Sequence, residues 1–189
     1  MKSVPQEKGK NSSRYAAFLR GVNVGGHAPI KMAALKMVFE SRGFRGVRTV
    51  LASGNVIFEG GAKDAESLAR KIGTGLKKAF GMDIGVMVRS LDDLARLRKT
   101  QPFAGITVTP AIRFYVTFLS AKAKRPAITI PYATPRQELR ILGATATEVF
   151  CVVDLAKGKG TPEAMAILER EFGSDLTTRN WNTVLKVLQ

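Results

Sequence analysis

The chain has 189 residues, with 30 Lys and Arg against 15 Asp and Glu, one His, one Cys, 45% hydrophobic and 24% charged residues. This is the composition of a globular chain able to bury a real interior, near the size of one domain or of two small subdomains sharing a core. One cysteine excludes a disulfide framework, one histidine excludes a metal site built on several imidazoles, and no apolar run approaches the roughly 20 residues of a spanning helix.

The net charge of +15 belongs to no single tail. Residues 1–13 hold three bases and one acid, residues 14–95 thirteen and seven, residues 96–189 fourteen and seven. A positive field over the whole body concentrates nucleic acids, phosphorylated metabolites or acidic lipids without selecting among them, and solubility alone is the competing explanation. The lysines of residues 1–13 are followed by no apolar stretch. That segment therefore reads as a flexible leader, neither secretory signal nor membrane anchor, and a reduced cytoplasmic setting is expected.

Tyr15 to Leu19 is a short apolar run ended by Gly21, the pattern of a buried strand. Lys31 to Arg42 places Met32, Leu35, Val38 and Phe39 at helical spacing, with Gly43 as the stop. Val47–Leu51 and Val56–Phe58 read as strands joined by Ala52-Ser53-Gly54-Asn55, whose residues are hairpin punctuation. Asp64 to Phe80 carries Leu68, Ile72, Leu76 and Phe80 on one stripe and closes at Gly81, and Ile84 to Val88 is a further strand. The order is βαββαβ, the ferredoxin-like split unit.

Ser90 caps a helix with Asp92 and Asp93 in its first turn, ending before Pro102. Ile112 to Leu119 is a strand, and Ala121 to Ile128 a basic connector broken by Pro126. Glu138–Leu142 and Glu148–Val153 make a second hairpin. Thr161-Pro162-Glu163 starts a helix with Thr161 as cap and proline at its first position, with Met165, Leu168 and Phe172 facing inward. A last helix, capped by Thr177 or Thr178, buries Trp181, Val184, Leu185 and Leu188. The predicted fold is α+β: two ferredoxin-like βαββα(β) units in tandem, at 14–95 and 96–189, with helices over antiparallel sheets and a C-terminal helix. The first helix of the second unit is the weakest element.

R-Y-A-A-F-L-R-G-V-N-V-G-G, I-K-M-A-A-L, S-G-N-V-I-F-E and T-T-R-N-W-N-T-V-L-K, in that order, resemble the signature segments of the bacterial family called domain of unknown function 1697. The resemblance spans nearly the whole chain after residue 14. It implies a cytoplasmic α+β protein and a set of characteristic residues, and no activity.

The same segments hold the candidate site residues. In R-G-V-N-V-G-G-H, Gly25 and Gly26 open the backbone to an anion and Arg20 supplies charge and paired donors, yet the spacing matches no nucleotide fingerprint and a glycine turn explains it too. Arg20 and Asn23, beside a strand end, need hydrogen-bond partners or a ligand. Ser53 and Asn55 serve the turn first and a ligand second. Arg179 and Asn180 fall in the first turn of the last helix, where anions are attracted and an arginine is out of place. Lys157 to Glu163 is a mobile loop or a phosphate loop at a helix N-terminus. Cys151 lies in an apolar strand as an inert thiol. His27 with Ser53 makes no recognisable nucleophile motif, and Asp92 and Asp93 diverge on a helix.

No cofactor motif and no metal site is present. The leading expectation is a binding module for a phosphate-rich ligand or nucleic acid through a basic surface, with Arg20, Asn23, Ser53, Asn55, Arg179 and Asn180 as contacts and no membrane partner. The alternative is a small enzyme acting on a phosphorylated or acyl metabolite in a pocket lined by Arg20, Ser53, Asn55 and Arg179.

Overall fold

A computed structural model describes residues 13–24, 29–61, 64–158 and 160–189. The predicted leader up to residue 12, and Gly25, Gly26, His27 and Lys159, lie outside the described residues. Ser13, assigned above to the leader, begins a strand.

The first half runs β1 (Ser13–Leu19), α1 (Met32–Ser41), β2 (Arg45–Val50), β3 (Asn55–Gly60), α2 (Ala65–Phe80) and β4 (Val86–Ser90). Its sheet has the order β2-β3-β1-β4, with each neighbouring pair antiparallel. α3 (Leu91–Lys99) follows β4 directly. Ser90 Oγ accepts from Asp93 N at 3.0 Å and donates to Asp93 Oδ2 at 2.5 Å, a reciprocal cap that holds the Asp93 carboxyl below its ordinary range, with help from Arg96.

The second half runs β5 (Ile112–Leu119), β6 (Tyr132–Ala133), β7 (Leu139–Ala144), β8 (Glu148–Asp154), α4 (Thr161–Phe172), β9 (Leu176–Asn180) and α5 (Trp181–Val187). Its sheet order is β6-β7-β8-β5-β9. Four of these strands repeat the first half's order, β7-β8-β5-β9 matching β2-β3-β1-β4. No helix stands between β5 and β7; bends and the two-residue β6 occupy that stretch, where Pro126 and Pro131 interrupt helical hydrogen bonding. The halves therefore differ in helix count, and the described residues form a mixed α+β fold with two antiparallel sheets and five helices.

Two of the expected helix starts are corrected. Thr177 and Thr178 cap nothing, because residues 176–180 form β9, and Asn180 caps α5 by accepting from Asn182 N at 2.9 Å. The β-branched pair belongs to a strand, with Thr178 bonded across to Thr117 at 2.8 Å. Val187 takes the buried place expected of Leu185. Thr161 is not a cap either: Gly160 occupies that position, and the Thr161 hydroxyl meets Tyr115 OH at 3.1 Å.

Alternation along the strands sends side chains to three cores. One face of the first sheet, with Tyr15, Ala17, Val56 and Phe58, packs under α1 and α2. Its other face, with Ala16, Phe18 and Ile57, meets Val116, Phe118 and Phe150 of the second sheet, flanked by α3 and α5. The far face of the second sheet, with Leu139, Ile141 and Cys151, packs under α4. At the centre of the junction the rings of Phe18 and Phe118 stack, centroids 4.2 Å apart and 9° from parallel, a contact worth roughly 0.5–1.5 kcal/mol beyond area burial. Trp181 is the expected core anchor, edge-on to Phe103 at 5.5 Å. Phe114 and Tyr115 of β5 are half-buried, Phe114 stacking on Phe103.

Candidate functional site

Arg179 stands on β9 opposite Val116 and reaches across the junction into the first half. Its Nε donates to Asn55 Oδ1 at 2.6 Å, and its Nη2 to Leu19 O at 2.6 Å and Ser53 O at 3.1 Å. Its Nη1 donates to Thr177 Oγ1 at 2.8 Å and Thr178 O at 2.9 Å. A guanidinium has five N–H donors, and five oxygens meet them. All five are neutral. The residue is 9% exposed, and burial lowers its pKa to about 10, which still leaves it charged at neutral pH.

Asn55 is fully buried opposite Phe18. While its oxygen accepts from Arg179, its Nδ2 donates to Val50 O at 2.9 Å and Ser53 Oγ at 3.0 Å. Asn23, in the left-handed region at φ 56, uses its amide to hold Ala52 O at 2.7 Å and Ile30 O at 3.0 Å, and its oxygen to accept from Ile30 N at 2.8 Å. Gly54 closes the turn: a Cβ there would stand 2.9 Å from Val22 Cβ and 3.0 Å from Leu19 Cβ, and its φ of 71 suits glycine. Asn23, Ser53, Asn55 and Arg179 thus converge, and their polar atoms are engaged with one another and with the main chain. Asn180 is drawn away into its capping role. Arg20, at the end of β1, pairs with Glu169 of α4 at 2.8 Å, both side chains about two-fifths exposed.

The sequence reading missed the partner of this arrangement. Arg89 of β4, opposite Ala16, reaches the other way. Its Nε donates to Glu148 Oε1 at 2.6 Å, and its Nη2 to Leu119 O at 2.8 Å and Thr147 O at 2.7 Å. Glu148 faces Phe118 as Asn55 faces Phe18, and the Arg89 Cζ lies 5.5 Å from the Phe118 ring as the Arg179 Cζ lies 5.9 Å from that of Phe18. The two halves thus make matching contacts on either side of the stacked phenylalanines. The signal was present in A-F-L-R (Ala17–Arg20) against T-F-L-S (Thr117–Ser120), and V-R-S-L (Val88–Leu91) against T-R-N-W (Thr178–Trp181). One substitution breaks the symmetry: Arg89 has a carboxylate where Arg179 has an amide.

Beside Arg179 lies an open cleft of about 470 Å³, walled by Arg20, Asp83, Glu169 and Thr178, with Val24 and Met165 as apolar surface. Asp83 is paired with Lys77 at 2.9 Å and Glu169 with Arg20. Counted with these partners, the described residues of the cleft keep one unmatched positive charge, that of Arg179. Arg20 spends one nitrogen on Glu169, and among the described residues its Nε and Nη1 meet no acceptor.

A family model described as protein of unknown function (DUF1697) matches residues 12–149. The chain belongs to the DUF1697 family. The match covers Arg20, Asn23, Ser53 and Asn55 and ends within β8, short of the T-T-R-N-W segment. No functionally curated protein matches this DUF1697 sequence. Among solved structures, conserved bacterial protein SP0830 from Streptococcus pneumoniae is similar with a TM-score of 0.71 at 19% identity, over 94% of this chain and 97% of that one. At that identity the likeness shows a shared fold.

Among the described residues no helix is long and apolar enough to cross a membrane, and no cluster of three or more His, Cys, Asp or Glu has the geometry to hold a metal ion.

Proposed function

We propose that the protein is a binding module whose two ferredoxin-like halves hold a small anion, carrying a phosphate or carboxylate group, in the cleft beside Arg179. The observation that carries this reading is the lack of any carboxylate among the partners of a buried guanidinium whose counterpart, Arg89, has one. A buried charge satisfied only by neutral dipoles projects its field into the adjoining space, and a low-dielectric wall strengthens that field. Arg20 supplies the direct donors, exchanging Glu169 for the ligand or adding the ligand on its unused edge. The cleft's size falls within the usual range for small-molecule sites. Both of its carboxylates are engaged with bases, which favours binding over acid/base chemistry and sets the enzymatic alternative second.

Calorimetric titration of inorganic phosphate, pyrophosphate and adenosine monophosphate at low ionic strength tests the reading. Saturable one-to-one binding that weakens at least tenfold in Arg20→Gln is the expected result. The substituted side chain is partly exposed, so the variant folds. Absence of saturable heat with all three anions, or equal affinity in the variant, overturns the proposal.

A further inference from the structure

The cleft accounts for one unmatched charge of the fifteen, and the opposite end of the first sheet gathers several more. Arg14 of β1 pairs in register with Glu59 of β3, and Glu59 with Arg45 of β2. Residues facing one another across antiparallel strands share a face of the sheet. Arg14 is thus on the face of Ala16 and Phe18, beyond the area that the second sheet covers. Arg48 pairs with Ile57, two residues from Glu59, although it stands three residues from Arg45. That extra residue is a bulge. In a regular strand, residues 45 and 48 point to opposite sides; the bulge brings both onto one face.

Gly46 makes this possible, with φ 58 and with the Glu59 Cδ and Oε1 3.1 Å from where a Cβ would stand. All three arginines are exposed, and among the described residues none is in an ion pair. Among the described residues Glu59 is the acid that lies between them in register. Arg14, Arg48 and Glu59 line a shallow recess of about 260 Å³ floored by Leu91 and Leu188.

We propose that this open end of the first sheet, presenting Arg14, Arg45 and Arg48, is a docking surface for the phosphodiester backbone of a single nucleic acid strand. Three guanidiniums on β1 and β2, the two strands that flank β3, are spread rather than convergent, which suits a linear polyanion better than one small anion. Arginine forks match phosphate oxygens, and a body charge of +15 draws polyanions toward the surface. Among the described residues the face offers no exposed aromatic to stack on a base, so contact is with the backbone and sequence-independent. Of the four large hydrophobic side chains exposed among the described residues, Val24 and Leu51 stand at the other end of the sheet, Met37 on α1 over its other face, and Val108 in the loop before β5. Arg14 and Arg20 are separated by six residues of strand, about 20 Å, so the surface is distinct from the cleft.

Fluorescence anisotropy with a labelled 20-nucleotide single-stranded RNA, and with DNA of the same sequence, tests the proposal. Three phosphate contacts predict a slope of about −2 for log affinity against log salt. Arg14→Gln, Arg45→Gln and Arg48→Gln combined are expected to weaken binding at least tenfold at low salt. The control Lys122→Gln, Lys124→Gln and Arg125→Gln, an equal charge loss in the other half, is expected to change it less than threefold. Arg20→Gln, which weakens anion binding in the cleft, is expected to leave it unchanged. Equal losses in the two triple variants, no binding at low salt, or binding to phosphatidylserine vesicles without binding to either oligonucleotide overturns the proposal.

Discussion

Arg89 and Arg179 occupy equivalent positions in the two halves, each on the last strand of its own sheet and each gripping a main-chain carbonyl at the end of the other half's first strand, Leu119 O at 2.8 Å and Leu19 O at 2.6 Å. The junction is thus locked by two crossed arginines around the Phe18–Phe118 stack. They differ in charge balance, and that difference organises the following expectations.

Arg179→Met should cost about 3–5 kcal/mol of stability, because it strands the buried Leu19 and Ser53 carbonyls and the Asn55 oxygen without donors. Arg179→Lys should cost less, since one ammonium offers three donors for five acceptors. Urea unfolding monitored by Trp181 fluorescence measures both. A loss below about 1 kcal/mol for the Met variant would remove the clamp from the account of stability.

At the second clamp, Glu148→Ala should be the worse lesion and the double change Arg89→Met with Glu148→Leu the milder one. Removing one partner leaves a buried charge, at a cost of about 3–5 kcal/mol, whereas replacing both with apolar groups is often near neutral. The same denaturant curves decide; equal losses in the two variants would contradict a charge-desolvation cause.

Asn55→Asp gives Arg179 the carboxylate that Arg89 already has. The anion affinity of the cleft should fall at least tenfold, read by the phosphate titration. Thermal stability should also drop, because the lost amide donors leave Val50 O and Ser53 Oγ facing a carboxylate. A stable variant with unchanged affinity would show that the field of Arg179 does not reach the ligand.

Cys151 is completely buried, which pushes its thiol from an ordinary 9.0 up to about 12. Labelling by a thiol reagent at pH 8 should therefore be negligible in the folded protein and rapid in denaturant. The folded thiol holds its proton while the unfolded one releases it, so this group's contribution to stability is complete below pH 9 and declines as pH rises toward 12. Prompt labelling of the native protein would place Cys151 outside the core.

The helices and strands of the first half were legible because their signals are local: the stripe Leu68, Ile72, Leu76 is closed by Gly81, and the alternating runs around Ser53-Gly54 form a tight turn. β9 is hard to read in the sequence because T-T-R-N abuts a strong helical stripe beginning at Trp181, while its strand pairing is with β5, some sixty residues away. The expected helix after β5 is absent because Pro126 and Pro131 interrupt a connector that also lacks an apolar stripe. Asn23, Ser53, Asn55 and Arg179 were recognisable as residues in need of partners. That they would satisfy one another was not.

The sequence by itself determined the alternation of elements, the excess of positive charge and the family, since propensity, periodicity, composition and motif order are properties of neighbouring residues. Tertiary structure alone decided that an arginine near residue 180 would lie buried against an amide at residue 55, and that a bulge would turn Arg45 and Arg48 to one face. Those outcomes depend on how two sheets meet and on which donors and acceptors are left over once the strands have paired, and no local pattern along the chain encodes that remainder.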